Sequence, residues 1–139
     1  MVIMMDYITW TEDYSVGVFS FDEDHKKIIG YINELNKCVE CSLDILEIKK
    51  VIEGLVDYTF YHFKNEEALM QEHSYQDFAG HKKEHNGLIF KVKTFRQKLD
   101  NKEHGIALEL KTFLRTWLIH HILNIDMKYK RFFSEKEVS

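Results

Sequence analysis

Residues 45–73 read ILEIKKVIEGLVDYTFYHFKNEEALMQEH, and their apolar side chains recur at steps of three and four positions. This spacing places side chains on one face of an α-helix. That face carries, in order, Ile45, Ile48, Ile52, Leu55, Thr59, His62, Glu66 and Met70. We therefore predict a helix over about residues 44–73 that buries a histidine and a glutamate among apolar neighbours.

The same spacing predicts three further helices, over about residues 21–40, 75–99 and 106–133. The chain has no proline, the residue that most often breaks a helix. Short connections make consecutive helices antiparallel neighbours. We therefore predict an all-α fold, an antiparallel up-down-up-down four-helix bundle. Residues 1–19 lack helical spacing and are predicted to form an extended arm on the bundle.

The first helix is predicted to begin after Ser20, a residue type that favours the N-cap position. Asp22, Glu23 and Asp24 follow, and their negative charges suit the positive end of the helix dipole. The next residue, His25, lies on the predicted inward face. This helix is therefore expected to place a histidine in the core near its N-terminal end.

Length and composition indicate a folded protein. The chain has 139 residues, of which 45% are hydrophobic and 30% charged. This size suits one core, and we predict a single domain over residues 1–139. The 19 basic residues are outnumbered by 23 acidic ones and do not gather into a stripe, so we expect no nucleic-acid partner.

The predicted location is the cytoplasm. The N-terminal residues lack the features of a secretory signal, and no apolar run approaches the roughly 18 residues that cross a bilayer, so we expect no membrane insertion. Two cysteines are too few for a disulfide framework. Cys38 and Cys41 form a C-x-x-C pair at a helix C-terminus, where the dipole disfavours thiolate. We interpret them as ordinary free thiols.

Histidine is the unusual residue of this sequence. Five of the eight histidines fall on predicted inward faces, namely His25, His62, His81, His85 and His121. His62 lies four residues before Glu66, a spacing that leaves both side chains on one helix face about 6 Å apart along the axis. Without a metal, such buried groups would leave donors and acceptors unpaired at about 1 to 3 kcal/mol each. The pattern therefore predicts a metal centre in the bundle core.

Asp126 lies five positions after His121, a spacing that leaves the two side chains about 140° apart around a regular helix. Both can reach one site only if the helix widens locally. We therefore predict a π-bulge between them, a feature that favours functional sites. The remaining histidines, His73, His104 and His120, are predicted to lie on the surface or in turns.

Several segments together resemble the hemerythrin family, and specifically its stand-alone bacterial type. They are Trp10 with Ser15-Val16-Gly17-Val18, Phe21-Asp22-x-x-His25, His62-Phe63-x-x-Glu66-Glu67, His81-x-x-x-His85 and Trp117-Leu118-x-x-His121-Ile122-x-x-x-Asp126. The resemblance covers nearly the whole chain. It implies two iron ions, joined by a bridging oxo or hydroxo group and held by His25, His62, Glu66, His81, His85, His121 and Asp126.

The resemblance also implies reversible dioxygen binding, for storage, delivery or sensing. It assigns His81, His85 and His121 to a filled iron, and His25 and His62 to an iron with an open position. Side chains near these histidines are predicted to form an apolar oxygen pocket, namely Ile28, Phe63, Trp117 and Leu118. We find no acid there that would suit enzymatic turnover, so we do not expect an enzyme. The sequence identifies no protein partner. It is compatible with a monomer.

The same residues suggest three alternative functions. His81-Lys82-Lys83-Glu84-His85 matches the H-x-x-E-H pattern of inverted zinc peptidases, but that pattern leaves the ligands on the other helices unexplained. A di-iron peroxidase or oxidase would use the same centre, and turnover of peroxide with a reductant would distinguish it. A sensor module for iron or oxygen status is the third alternative.

Overall fold

The structure is a computed structural model that describes residues 6–41, 44–101 and 105–139, and in these ranges it contains helices and no strand. A 3₁₀ turn at Glu12–Tyr14 precedes helices α1, Phe19–Glu40, α2, Ile45–Glu72, and α3, Phe78–Asp100. Helix α4, Ile106–His120, continues through a π-helical segment, His121–Asp126, into α5, Met127–Glu135. α4, the π segment and α5 together form the fourth helix of the bundle.

The four helices pack in the predicted cyclic order. α1 packs against α2 and α4, and α3 packs against the same two helices. The predicted antiparallel four-helix bundle is thereby confirmed. The largest fully buried apolar side chains are Ile32, Leu35, Ile52, Met70, Leu110, Ile122, Tyr129 and Phe133. Histidines and carboxylates lie within this same apolar interior, so the core of the bundle also contains the candidate site.

Helix α1 begins earlier than predicted, at Phe19. The predicted N-cap at Ser20 is wrong, because Ser20 lies inside the helix and the residue before the helix makes no side-chain capping bond. The Asp22 carboxylate instead binds the arm. It accepts hydrogen bonds from the Ser15 hydroxyl at 2.6 Å and from the Val16 backbone N–H at 2.8 Å. Contacts with the arm thus set the start of α1, and such contacts cannot be predicted from helical periodicity.

The described part of the arm, residues 6–18, lies along the bundle as predicted. The Asn33 side chain on α1 binds both the backbone N–H and the backbone C=O of Ile8, each at 2.8 Å. Lys130 on α5 donates to the backbone C=O of Ser15 at 3.0 Å. The arm therefore connects the first and last helices of the bundle. The first five residues lie outside the described ranges.

Helix α3 begins three residues later than predicted, at Phe78. α2 ends at Glu72, and Ser74 takes a positive φ of 55°, which turns the chain out of the helical path. The Tyr75 backbone N–H then donates to the Met70 carbonyl at 2.8 Å and closes the turn. Helical spacing in the sequence continues across this turn, so the pattern alone placed the boundary too early.

The remaining sequence predictions about the fold concern cysteines, termini and membranes. Cys38 is buried, Cys41 is exposed, and both thiols are free, as predicted. The predicted turn around His104 lies outside the described residues. None of the helices in the described ranges combines the length and apolar character that a membrane span requires.

Candidate metal centre

The structure brings the seven predicted ligand side chains together in the core. One group comprises Glu66, His81, His85, His121 and Asp126, and a second comprises His25, His62 and Glu66. In each group the potential ligand atoms all lie within 4.8 Å of one another. Every one of the seven residues is at most 3% exposed. Glu66 belongs to both groups, so the two sets of ligands are adjacent and share a carboxylate.

All four bundle helices contribute to this cluster. α1 supplies His25, α2 supplies His62 and Glu66, and α3 supplies His81 and His85. The fourth helix supplies His121 and Asp126, the first and last residues of the π segment. The predicted local widening is thus confirmed, and it brings His121 Nε2 to 2.9 Å from Asp126 Oδ1.

The two carboxylates lie between the histidines. Glu66 Oε2 is 2.8 Å from His62 Nε2, while its Oε1 is 3.3 Å from His85 Nε2. Asp126 Oδ2 is 3.2 Å from His25 Nε2, while its Oδ1 is 2.9 Å from the other side of the cluster at His121. Each carboxylate therefore directs one oxygen to each group, the disposition that suits a ligand bridging two metal ions.

The donor atoms of the cluster are close together without being paired. Buried atoms that form no hydrogen bond to the described residues include Nε2 of His62, His81, His85 and His121, Oε1 of Glu66 and both carboxylate oxygens of Asp126. Their separations are short, but they lack hydrogen-bond alignment. Unpaired buried nitrogens and oxygens that converge on common points are costly alone and suit metal ions. The residues present therefore fit a two-metal centre.

When no metal is present, the negative charges of the carboxylates raise the pKa of two histidines, His62 and His81. Burial lowers the pKa of His62, but the negative charge of Glu66 and the hydrogen bond to Asp24 outweigh it and raise the pKa to about 10. Burial likewise opposes the charged form of His81, and Asp126 and Glu66 raise its pKa to about 9. In the metal-free protein, His62 and His81 are therefore protonated partners of the carboxylates, and a metal must displace those protons.

The carboxylates show the opposite effect. Burial tends to raise the pKa of Glu66, but the charge of His62 outweighs it and holds the pKa of Glu66 well below its usual value. Burial and the charge of Glu66 raise the pKa of Asp126, and the contact with His121 nevertheless lowers it overall. Both groups are therefore anionic at neutral pH and available as metal ligands.

Aromatic side chains support two of the histidines and one carboxylate. Phe63 stacks on His85 with ring centroids 3.7 Å apart. Trp117 stacks on His121 at 4.3 Å, with planes inclined by 12°. Tyr129 also donates a hydrogen bond from its hydroxyl to Glu66 Oε2 at 3.1 Å. These contacts restrict the rotation of the rings, so the cluster is organised before any metal binds.

Carboxylates outside the cluster support two histidines at Nδ1. Asp24 Oδ2 lies 2.9 Å from His62 Nδ1, and Glu67 Oε2 lies 2.9 Å from His85 Nδ1. The Tyr58 hydroxyl donates to Asp24 Oδ1 at 2.7 Å. Burial alone would raise the pKa of Asp24, but the hydrogen bonds from His62 and Tyr58 keep it below its usual value.

Sequence reasoning missed these supporting side chains. Asp24 was predicted to serve the helix end, and its contact with His62 is instead its main interaction. The two residues are on different helices, so spacing along one helix could not pair them. Tyr129 was detectable, because it follows Asp126 by three residues and therefore lies on the same helix face.

A small cavity adjoins the cluster. It measures about 20 Å³, room for a molecule of roughly the size of water. All four residues predicted for the oxygen pocket line it: Ile28, Phe63, Trp117 and Leu118. Three histidines of the cluster also face it, namely His25, His62 and His121. The rest of the lining was not predicted from the sequence and consists of Ile32, Leu55, Thr59, Leu88 and Leu114.

The histidines predicted to lie outside the site do so where they are described. His120 is exposed and its ring contacts the Asn124 side chain at 3.2 Å. His73 is half-buried and packs edge-on against Phe133, with ring centroids 6.1 Å apart. Neither belongs to the cluster of potential metal ligands.

Comparison with known proteins agrees with this geometry. Residues 16–133 match the family described as Hemerythrin HHE cation binding domain. The chain is 38% identical over 125 residues to a bacteriohemerythrin of Pseudomonas aeruginosa strain LESB58, covering 90% of this chain and 80% of that protein. It is 34% identical over 126 residues to a bacteriohemerythrin of Methylococcus capsulatus strain Bath, covering 90% of this chain and 95% of the relative.

A solved structure extends the comparison to three dimensions. The crystal structure of a wild-type hemerythrin superimposes with a TM-score of 0.84 at 33% sequence identity, covering 90% of this chain and 96% of that one. Sequence, fold and the buried cluster therefore lead to one assignment. The chain belongs to the hemerythrin family, whose members bind dioxygen at a di-iron centre.

Proposed function

We propose that this chain binds dioxygen reversibly at two irons held by the seven clustered side chains. The ligands in this proposal are His25, His62, Glu66, His81, His85, His121 and Asp126. The observation that supports it best is the convergence of buried ligand atoms, many of which form no hydrogen bond to the described residues. When bound, the iron pair supplies the electrons that dioxygen binding at a non-haem site requires.

The chain's own residues make the two halves of the centre unequal. One group offers five residues as ligands, and the other offers His25, His62 and Glu66. The cavity is lined by both histidines of the smaller group, His25 and His62, but by only His121 of the three histidines in the larger group. The proposal therefore assigns the open position to the ion near His25 and His62, facing the cavity.

The cavity lining favours binding without turnover. Apolar side chains, among them Ile28, Phe63 and Leu118, surround the space next to the cluster. These apolar side chains offer no proton, and among the described residues the polar lining groups besides the histidines are the Thr59 hydroxyl and the Trp117 indole N–H. Reversible binding requires that no further proton reaches the ligand, so the lining supports a binding protein over a peroxidase or oxidase.

The biological role we propose is storage, delivery or sensing of dioxygen. Two free cysteines suit the reducing cytoplasm, which is the location we propose. The assignment of residues 1–139 to a single domain and the monomeric state stay predictions. No protein partner is proposed.

One optical experiment tests the function. The iron-loaded protein is reduced without oxygen, exposed to air and then deoxygenated, and its spectrum is recorded at each stage. We expect a new absorption band that appears with air and disappears on deoxygenation. A spectrum that never returns to that of the reduced protein would contradict reversible binding, and steady consumption of peroxide with a reductant would favour the enzymatic alternative.

A further inference from the structure

The His62 ring is held from the side that faces away from the cluster. Its Nε2 lies 2.8 Å from Glu66 Oε2, and its Nδ1 lies 2.9 Å from Asp24 Oδ2. Because the Asp24 carboxylate accepts hydrogen bonds, Nδ1 carries a proton and donates it. A metal that displaces the proton of the opposite nitrogen then binds at Nε2, so the Asp24 contact keeps the proton on Nδ1 and sets the direction of the ring.

Asp24 is fixed in turn by Tyr58. The Tyr58 hydroxyl donates to Asp24 Oδ1 at 2.7 Å, while His62 contacts the other oxygen, so both oxygens of the carboxylate are engaged. Asp24 belongs to α1, whereas Tyr58 and His62 belong to α2. The chain of contacts therefore joins two helices beside the cluster and ends at a half-buried tyrosine, with the Lys27 ammonium 5.1 Å from its ring centroid.

This support distinguishes His62 from the other histidine of its group. His25 Nδ1 is buried and forms no hydrogen bond to the described residues. Asp24 is 9% exposed, which limits the screening of its charge by water. In the three-residue group, His62 is thus the histidine that an anionic carboxylate orients.

We propose that Asp24, held by Tyr58, is a positioning residue that orients His62 and tunes the half of the centre next to the cavity. The inference rests on the ligand role proposed for His62. A carboxylate behind a ligating histidine fixes its ring and strengthens it as a ligand. Its negative charge also favours the more oxidised metal, so Asp24 lowers the reduction potential of that half of the centre.

Three variants test the inference. Asp24→Asn preserves size but removes the charge, and Tyr58→Phe leaves the carboxylate with one hydrogen bond fewer. Asp57→Asn is the matched control, because Asp57 is exposed and lies one residue before Tyr58 in α2. Zn²⁺ serves as a diamagnetic probe, and its affinity is measured by competition with a chelator. Proton and nitrogen NMR of the zinc-loaded protein reports the state of each His62 nitrogen.

We expect Asp24→Asn to weaken Zn²⁺ binding by about 10- to 100-fold, the usual effect of losing such a support. Tyr58→Phe should weaken it less, and Asp57→Asn should leave it unchanged. The Nδ1–H proton of His62 should move upfield in Asp24→Asn as its hydrogen bond weakens. In the iron-loaded protein, the reduction potential should be higher in Asp24→Asn than in Asp57→Asn, because only Asp24→Asn removes a negative charge beside the centre.

Unchanged Zn²⁺ affinity with an unmoved Nδ1–H signal in Asp24→Asn would overturn the inference. A lower melting temperature without a change in reduction potential would also overturn it, since that is the result of a purely structural role. If Asp24→Asn fails to fold, the Zn²⁺ affinity and the His62 Nδ1–H signal of Tyr58→Phe decide instead. A wild-type His62 whose Nε2 shows no metal contact would instead refute the ligand assignment made under the proposed function.

Discussion

Glu66 is the residue that both halves of the cluster share. Its Oε2 lies near His62, and its Oε1 lies near His85. We expect Glu66→Ala to lose both irons, because both groups lose the carboxylate that they share and Asp126 alone is left to bridge them. The measurement is iron per folded chain, with Glu72→Ala, an exposed position on the same helix, as the control. Retention of two irons by Glu66→Ala would contradict the assignment.

Metal uptake should release protons from the histidines. In the metal-free protein the pKa of His62 is raised to about 10 and that of His81 to about 9, so both bind a proton at pH 7. A metal binds the neutral ring and must displace these protons, whose competition weakens as the pH rises. We therefore expect the apparent affinity for Zn²⁺ to increase from pH 7 to pH 9.

Titration with Zn²⁺ in weakly buffered solution measures this release directly. These two histidines should together account for about two protons per chain at pH 7. Glu66→Gln is the comparison, because it removes the charge that raises the pKa of His62. An affinity that is equal at pH 7 and pH 9 would show that the rings are neutral before the metal arrives.

Leu118 lines the cavity and is 6% exposed. Leu118→Ala should cost about 2 to 5 kcal/mol of the free energy of unfolding, because it removes buried side-chain volume. It should also admit water and small anions, so the oxygenated protein should autoxidise faster and bind azide sooner. The measurement is the autoxidation rate against wild type at matched pH. Equal rates with both irons retained would mean that Leu118 does not guard the site.

At the scale of one element, the π segment sets the spacing of two ligands. His121 and Asp126 are five residues apart, yet their side chains meet because the segment is wider than an α-helix. A regular helix brings residues four apart onto one face. Deleting Leu123, an exposed residue within the segment, should therefore convert it to α-helix and keep both ligands on one face.

An insertion should have the opposite effect. One alanine added after Leu123 places His121 and Asp126 six residues apart and rotates the carboxylate away from the cluster. We expect two irons per chain in the deletion variant and loss of iron in the insertion variant, measured by metal analysis of the purified proteins. Equal iron content in the two variants would contradict the role given to the segment.

At the scale of the whole molecule, metal binding should stabilise the fold. The core contains five histidines and two carboxylates, and several of their ligand atoms form no hydrogen bond to the described residues. Removing the metal should cost at least about 3 kcal/mol, which lowers the melting temperature by roughly 10 °C. Calorimetry of the protein with and without iron measures the difference. Identical melting curves would show that the metal-free cluster satisfies its own polar groups.

Much of this molecule follows from periodicity along single helices. The spacing of His62 and Glu66 predicted their common face, and the five-residue interval before Asp126 predicted the π segment. The partners of Asp24 could not be predicted in this way, because Tyr58 and His62 are 34 and 38 residues away on another helix. The spacing of residues along one helix does not predict the contacts that this helix makes with another.

The arm offers a last consequence, for the order of events during synthesis. Asp22 and Asn33 bind the arm near the start of the chain, but Lys130, which contacts the arm at Ser15, is translated far later. The group around His25 has all its ligands once residue 66 has emerged, whereas the five-residue group must wait for Asp126. Since a chain folds from its N-terminal part as it leaves the ribosome, we expect the proposed iron centre to be completed only as the final helix emerges and the arm joins the two ends of the bundle.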